Sequence, residues 1–314
     1  MSHGVDRSRA GFLPPRFSFI RLLFCRSYCA VRDASVDLEV PRMLISNEIY
    51  NMKLKRKFVI GAIASLLCYA GLVEPNWIKT RSYDLAIPGL AHDLTVVEIG
   101  DIHTNQMGLR ERRTLDTIRK IDPDFVFVAG DLMKSNSRTG QALDFLSQLT
   151  SKRGVYFVPG NADEALTEEI ERGTISKDLG SRHILMNENV DCGDFTLVGI
   201  DDPVRCRDDA RKAFEGVTRE KPIFVLVHFH AKRVMSAIEG MGVSFVFAGH
   251  THGGQVGVGP LVSLVPYAHR SPYVAGLYNL DGTRLYVTRG VGTNLFPLRL
   301  FCRPEIAVFH FRGA

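Results

Sequence analysis

Cysteine is scarce in this chain, and the arrangement that a disulfide framework or a zinc knuckle needs is missing. The 314 residues include six cysteines, none in a Cys-x-x-Cys pair, and only three of them follow residue 77. This wide spacing excludes a disulfide-stapled scaffold and a cysteine-type structural zinc site. Internal repeats and low-complexity tracts are absent as well. What remains is an ordinary globular composition, 45% hydrophobic and 23% charged, which allows a large core.

Most of the chain also lacks an excess of charge of one sign. The net charge of +5 arises in residues 1–57, which carry 11 basic and 5 acidic side chains. The remaining residues carry 28 basic and 29 acidic side chains and are almost neutral. Because nucleic-acid binding usually requires a basic surface, this balance argues against a nucleic-acid partner.

The longest hydrophobic run lies near the N-terminus. Basic residues in Met52–Lys57 precede sixteen uncharged residues, Phe58 to Val73, and Trp77 and Lys79 follow. This order predicts an uncleaved membrane anchor over residues 52–77, since no small-residue cleavage site follows the run. A cleaved signal peptide and a buried core helix remain open, as does the side of the membrane. Residues 1–51 are predicted to be a disordered or wrongly assigned extension, with Met52 as the hypothetical true start.

From residue 94 onward, short apolar runs end abruptly in residues that bind metals. The runs predicted to be strands with such ends are 94–99, 125–129, 155–158, 223–227 and 245–248. Amphipathic stretches at 110–121, 139–150 and 231–239 predict helices that cover the sheet. Further runs at 195–200, 285–288 and 306–311 predict a second sheet. The sequence therefore predicts an α/β domain over residues 78–314, with ligands gathered at the carboxyl ends of strands.

The polar residues at these strand ends form one set of oxygen and imidazole ligands. The set is Asp101, His103, Asp131, Asn161, His228, His250 and His252. Such ligands suit manganese, iron or zinc, and thiolates are absent from the set. Seven ligands exceed what one ion with an open position needs, but they suit two ions that share a carboxylate, for which Asp131 is the natural choice. Each motif alone is weak, and the ordered combination carries the prediction.

This ordered set, from about Leu94 to His252, resembles that of the calcineurin-like metallophosphoesterases. The resemblance implies two mixed β-sheets packed together and flanked by helices, and a metal-dependent hydrolase of phosphorus ester or anhydride bonds. It implies two divalent ions, with Mn²⁺ expected before Fe or Zn. One ion would be held by Asp101, His103, Asp131 and His252, and the other by Asp131, Asn161, His228 and His250. The catalytic candidates are Asp131, Asn161 and His228.

Other segments are similar to a membrane-anchored bacterial branch of that family, which includes the UDP-2,3-diacylglucosamine hydrolases of lipid A synthesis. They include Gly253-Gly254-Gln255, the stretch Gly199–Pro203, and Glu74-Pro75. The branch implies a lipid-linked nucleotide-sugar substrate at the bacterial inner membrane, reached through residues 58–73. The specific expectation is hydrolysis of UDP-2,3-diacylglucosamine to lipid X and UMP.

Two other hypotheses remain open. One is a broad-specificity envelope phosphodiesterase or phosphatase that acts on soluble substrates. The other is a non-catalytic module whose metal site has decayed, and the intact seven-residue set weighs against it. Neither the oligomeric state nor the head group follows from the sequence.

One position departs from the family pattern. Most members carry a histidine after Gly-Asn, where this chain has Ala162. A proton donor matters most for a poor leaving group, so Ala162 favours a pyrophosphate or activated diester substrate. The candidates for substrate binding or proton supply are Asp163, His230, His269 and Arg270, and His103 is a further possible donor.

Overall fold

The computed structural model describes residues 42–134, 137–257 and 271–313, with side chains from residue 50 onward. His269, Arg270 and residues 1–41 therefore lie outside the described residues. The first helix, α1 (Arg42–Cys68), begins ten residues before Met52 and includes the end of the predicted extension. Two short helical turns, Tyr69–Val73 and Glu74–Asn76, continue it toward the domain.

The apolar run is part of this helical segment. The span Tyr50–Asn76 is long and apolar enough to cross a membrane by length and composition, and only 17% of its most apolar window is buried. Phe58, Ile63 and Leu67 are among its exposed side chains. A core helix would bury such residues, so the interpretation as a buried core helix is wrong. The exposure is compatible with either a membrane anchor or a signal peptide.

The first sheet contains six strands. They are β1 (Lys79–Ile87), β2 (Leu94–Ile99), β3 (Phe125–Ala129), β4 (Gly154–Val158), β5 (Arg182–Ile184) and β12 (Glu305–Gly313). Their order is β1-β12-β2-β3-β4-β5. Strand β12 runs parallel to β1 and antiparallel to β2, while β2 to β5 are parallel. Parallel strands bring their carboxyl ends to one edge of the sheet.

The second sheet also contains six strands. They are β6 (Glu188–Asp191), β7 (Thr196–Ile200), β8 (Ile223–Val227), β9 (Val243–Ala248), β10 (Gly276–Leu280) and β11 (Thr283–Val287). Their order is β10-β11-β9-β8-β7-β6, with the outermost pair at each end antiparallel and the inner pairs parallel. Both sheets are therefore mixed.

Helices cover the outer faces of the sheets. Helices α2 (Leu109–Ile121), α3 (Thr139–Gln148) and α4 (Glu164–Glu171) share one buried cluster with β2, β3 and β4. Helices α5 (Ala210–Ala213) and α6 (Lys232–Ile238) share another with β7 to β9. Between the sheets lies an aromatic layer that includes Phe127, Phe224, Phe247 and Phe309. This confirms the predicted fold of two mixed sheets flanked by helices. The assignment of the run 306–311 to the second sheet is wrong, because β12 pairs with β1 and β2 in the first sheet.

Candidate metal centre

Five parallel strands deliver the predicted ligands to one place. Asp101 and His103 follow β2, Asp131 follows β3, and Asn161 follows β4. His228 follows β8, while His250 and His252 follow β9. The two Asp and four His side chains are at least 95% buried, whereas Asn161 is only partly buried.

The ligand atoms fall into two groups joined by one carboxylate. Asp101, His103, Asp131 and His252 form one group, and Asp131, His228 and His250 form the other, with all ligand atoms of a group within 4.8 Å of one another. Asp131 Oδ2 lies 3.5 Å from His103 Nε2, and Asp131 Oδ1 lies 3.4 Å from His228 Nε2. The two oxygens of one side chain therefore face the two groups. Asn161 Oδ1 joins the second group, 3.2 Å from His228 Nε2.

We call Asp101, His103 and His252 the closed half of the site, and Asn161, His228 and His250 the open half. In the closed half, the Nε2 atoms of His103 and His252 are 3.1 Å apart, and His252 Nε2 is 3.5 Å from Asp101 Oδ1. The open half reaches solvent through Asn161.

The backbone at the strand ends adopts an uncommon conformation. Asp101, His103, Asp131, His250 and His252 all have positive φ, between 46° and 72°. For residues other than glycine, this left-handed conformation has a free-energy cost of the order of 1 kcal/mol, and such residues cluster at functional sites. The surrounding fold therefore holds these five side chains in position at a cost to stability.

Two glycines make room for the ligands. A side chain at Gly130, which has a φ of 77°, would collide with the ring of His228, and one at Gly160 would collide with Asp131. The Gly-Asp and Gly-Asn motifs thus have a steric reason: the backbone must pass close to a ligand from another strand.

Backbone carbonyls fix the orientation of two imidazoles. His103 Nδ1 lies 3.1 Å from the carbonyl of Met133, and His228 Nδ1 lies 2.9 Å from that of Ala129. A carbonyl only accepts, so each Nδ1 carries a proton and each Nε2 faces the site. The amides of Ala162 and His250 similarly orient Asp131 and Asp101, at 2.8 and 3.0 Å. Such outer contacts typically tune metal ligands.

Burial and neighbouring charges alter the protonation of the ligands. Burial lowers the pKa of His250 to about 3 and holds those of His103 and His252 below their ordinary value. Burial raises the pKa of Asp101 to about 7. Three imidazoles are therefore neutral at pH 7, the form that binds metal.

The shared carboxylate and His228 behave differently. Burial opposes the charge on both, but their mutual attraction, the other charged neighbours and the backbone hydrogen bonds together outweigh it. The pKa of Asp131 is lowered, and that of His228 rises to about 9. Without an ion, His228 would thus be protonated and would face the Asp131 carboxylate.

The donor set fits divalent cations. The Nε2 atoms of His103 and His228 lie 3.0 to 3.5 Å from carboxylate oxygens and other imidazole nitrogens, so acceptor atoms face acceptor atoms whenever these rings are neutral. Buried acceptors need a positive charge between them. Imidazole nitrogen with carboxylate and amide oxygen suits a transition metal.

Two of the substrate-binding candidates can be placed. Asp163 is buried, and its carboxylate accepts hydrogen bonds from the amides of Leu132, Met133 and Gly160 at 2.7 to 3.2 Å. Burial raises its pKa to about 7. Because both oxygens are engaged by backbone amides, the prediction that Asp163 contacts substrate or supplies a proton gives way to a structural role: it ties the loop after β3 to the loop after β4.

His230 remains close to the site. Its side chain is buried, its Nε2 lies 2.7 Å from Ser271 Oγ, and its neighbour Phe229 packs against His250. Burial lowers its pKa to about 4. His230 therefore lies beside the open half as a neutral imidazole.

Sequence reasoning missed the residues that support the closed half from beneath. Gly292 donates its amide to Asp101, and the buried Arg299 guanidinium donates to the carbonyls of Gly292, Arg289 and Cys302. Gln255 is fully buried with a φ of 63°. A lone arginine within the apolar stretch Leu295–Cys302 was the available signal, because such a residue is buried only when its donors are satisfied.

The fold, the strand-end ligands and the shared carboxylate together define a two-sheet metallohydrolase. The model of the calcineurin-like phosphoesterase family matches residues 94–254, which is half of the chain. The chain therefore belongs to the calcineurin-like phosphoesterase family, and its activity is that of a metal-dependent phosphoester hydrolase.

Its relatives come from bacteria and animals. An uncharacterized metallophosphoesterase of Campylobacter jejuni is 28% identical over 92% of this chain and 79% of its own length. A transmembrane protein with metallophosphoesterase domain from Danio rerio is 29% identical over 78% of this chain and 60% of its own length. The metallophosphoesterase YkuE of Bacillus subtilis is 26% identical over 82% of this chain and 98% of its own length.

A solved structure with a similar fold is that of TT1561 from Thermus thermophilus. It shares 12% identity, covers 63% of this chain and 90% of its own, and has a TM-score of 0.41.

Proposed function

We propose that this protein hydrolyses a phosphoanhydride or phosphodiester bond in a lipid-linked substrate at a bacterial inner membrane. The specific candidate is UDP-2,3-diacylglucosamine, cleaved to 2,3-diacylglucosamine 1-phosphate (lipid X) and UMP. The observation that carries the hydrolytic part is the Asp131 carboxylate, whose two oxygens face two separate groups of buried ligands.

The residues present would hold two divalent cations, one in each half of the site. Mn²⁺ is the first candidate, with Fe or Zn also suited to this mixture of imidazole and oxygen ligands. When bound, a pair of such ions supplies positive charge for the attacking and leaving oxygens of an in-line displacement at phosphorus. Asp131, Asn161 and His228 are the residues we place nearest that displacement.

The residues of the chain itself mainly orient the ligands and exclude water from the site. The closed half keeps water away from Asp101, His103 and His252, which are buried on all sides. Asn161 is the partly exposed ligand, so the substrate phosphate approaches along the open half. The amide of Ala162 holds Asp131 Oδ1 at 2.8 Å, which keeps the shared carboxylate in one orientation during the reaction.

The choice of leaving group follows from position 162. Alanine has no titratable group, and the adjacent Asp163 carboxylate is occupied by three backbone amides. A pyrophosphate avoids the need for a proton donor, since water forms a new bond to one phosphorus while the bond to the bridging oxygen breaks. The electron pair leaves on the second phosphate, and the water proton passes to solvent. This supports an anhydride over a simple alkyl monoester.

The lipid part of the proposal is supported by the anchor. The carbonyl of Ala70 accepts a hydrogen bond from the amide of Arg299, and the Glu74 carboxylate accepts from the amides of Phe301 and Cys302. The end of the apolar helix is therefore bonded to the loop that supports the closed half. An enzyme held in this way meets amphiphilic substrates more often than soluble ones.

The decisive test is UMP release from UDP-2,3-diacylglucosamine by the detergent-purified full chain with Mn²⁺. Asp131→Ala should abolish release, and Asp144→Ala, a change in helix α3 on the protein surface, should not. If the wild type leaves this substrate intact while cleaving bis(p-nitrophenyl) phosphate, the lipid A substrate is wrong. Activity that survives Asp131→Ala would overturn the two-cation site itself.

A further inference from the structure

Large exposed hydrophobic side chains are unevenly distributed over the described part of the domain. Beyond Trp77 they are Leu109, Leu295, Phe296 and Phe301, which we call the apolar rim. Leu295, Phe296 and Phe301 are 67%, 56% and 68% exposed. Scattered single residues of this kind need no explanation, but a group at one location marks an interaction surface.

The apolar rim lies at the end of the apolar helix. Leu109 lines a cavity of about 220 Å³ together with Gly71 and Pro75 of the helical turns. Thr293 and Pro297 line it from the loop between β11 and β12, residues 288–304, which we call the rim loop. Phe301 donates its amide to Glu74, three residues before Trp77, which is itself half-exposed. Leu109 and Phe301 of the apolar rim therefore lie beside the last turns of the helix.

Basic side chains border the same surface. The Arg113 guanidinium donates to the carbonyl of Asn76. The Arg303 guanidinium lies 4.0 Å from the centre of the Trp77 ring and donates to the Trp77 carbonyl. Lys79 and Arg112 are exposed nearby in sequence. Aromatic rings with arginine and lysine beside them are typical of the interface between acyl chains and anionic head groups.

The rim loop is held firmly in place. The Gln255 side-chain amide donates to the carbonyls of Asn294 and Phe296 at 3.0 and 2.9 Å, and its oxygen accepts from the amide of Asn294 at 2.7 Å. Gln255 follows His252 by three residues, so the residue that fixes the rim belongs to the same loop as a ligand of the closed half.

We propose that the apolar rim inserts into the anionic interface of the membrane that the N-terminal helix enters. The catalytic domain is thereby docked on the bilayer by a second contact instead of moving freely at the end of one helix. Gln255 and Arg299 then set the distance between that interface and the metal centre. This inference rests on the membrane location proposed above but not on the identity of the substrate.

Tryptophan fluorescence can test the docking, because Trp77 is the single tryptophan of the chain. The full chain would be reconstituted into vesicles of phosphatidylcholine and phosphatidylglycerol, with and without brominated acyl chains that quench nearby indoles. Phe296→Trp and Phe301→Trp would each be made in a Trp77→Phe background. The matched control is Arg312→Trp in the same background, since Arg312 is exposed seven residues after the start of β12, about 23 Å along the strand.

We expect the indole at position 296 or 301 to lose intensity in brominated vesicles to the same extent as native Trp77, with blue-shifted emission, and the indole at 312 to lose none. Quenching at Trp77 without quenching at 296 and 301 would overturn the docked rim while leaving the anchor intact. Absence of quenching at all positions would overturn the membrane location as well. Neither result depends on hydrolysis, so failure of the substrate assignment is separately visible.

Discussion

The two halves of the metal centre use the same kinds of ligands but are built differently. In the closed half, Asp101, His103 and His252 are all buried and all have positive φ. In the open half, His250 is also buried with positive φ, but His228 and Asn161 have ordinary backbone conformations, and Asn161 is partly exposed. The contrast suggests a division of labour, in which the closed half retains a cation and the open half meets the substrate. Asp131 belongs to both.

The largest effect should come from removing the charge that both halves share. Asp131→Asn keeps the size of the side chain but leaves neither half with its carboxylate oxygen. We expect turnover to fall about 10³-fold, the upper range for loss of one preorganised electrostatic group, and metal content to fall in both halves. Elemental analysis with parallel kinetics would measure this. A variant that keeps a full complement of metal would contradict the shared position.

Matched substitutions in the two halves should affect different properties: metal content in the closed half and KM in the open half. His252→Asn removes a buried ligand of the closed half, so metal content should drop and turnover should fall about 10²-fold. Asn161→Ala removes the exposed ligand of the open half, so the loss should be about tenfold and concentrated in KM. Equal losses of metal in both variants would remove the distinction between the halves.

A fourth substitution acts on both halves from outside. Asp163→Ala would leave the buried amides of Leu132, Met133 and Gly160 without an acceptor, and each such group has a substantial desolvation penalty. We expect the free energy of unfolding to fall by about 2 kcal/mol, measured by thermal denaturation in detergent.

The neighbouring exposed residue provides the control for this experiment. Glu164→Ala should leave the melting temperature unchanged, because Glu164 lies at the surface at the start of α4. Equal melting temperatures for both variants would show that Asp163 does not tie the loops.

A pH-dependent effect concerns Glu98, which lies in β2 beneath the closed half. Its carboxylate is fully buried without a hydrogen-bond partner in the described residues, and burial, together with Glu305 and Asp101, raises its pKa well above 4.5. A raised pKa in the folded state means that stability is fully present below the unfolded pKa and is lost as pH rises. The loss is about 1.4 kcal/mol per pH unit until the folded pKa is reached.

Glu98→Gln should remove this dependence. In metal-free protein, the free energy of unfolding of the Glu98→Gln variant should exceed that of the wild type, and the difference should grow between pH 5 and 7. For the surface change Glu239→Gln, the difference from the wild type should not change with pH. Parallel curves for Glu98→Gln and the wild type would show that Glu98 ionises freely.

The sequence predicted the central strands and the ligands because both depend on local patterns. Apolar runs that end in Asp, Asn or His located β2, β3 and β8 at the residues where the structure has them. Strands β1 and β6 were missed because they lie at sheet edges, where half-exposed side chains mix with polar ones. An edge strand carries a weaker hydrophobic pattern than a central one.

The supporting residues could not be predicted because their partners are distant in sequence. Asp163 was expected near the substrate from its position beside Ala162, but its carboxylate accepts hydrogen bonds from backbone amides some thirty residues earlier. Glu74 contacts residues more than two hundred positions away. Hydrogen bonds of this kind produce no periodic pattern in the sequence, so only the folded structure reveals whether a carboxylate binds substrate or backbone.

The position of β12 has a consequence for how the protein is made. This strand comes late in the chain but lies between β1 and β2. It pairs with residues 79–87 of β1 and with residues 94–98 of β2. During translation β1 and the outer side of β2 stay unpaired until Glu305–Gly313 has been synthesised. The incomplete domain therefore has an open strand edge during synthesis, and contacts of such long range form slowly. Chaperones that cover exposed strands would act during this interval.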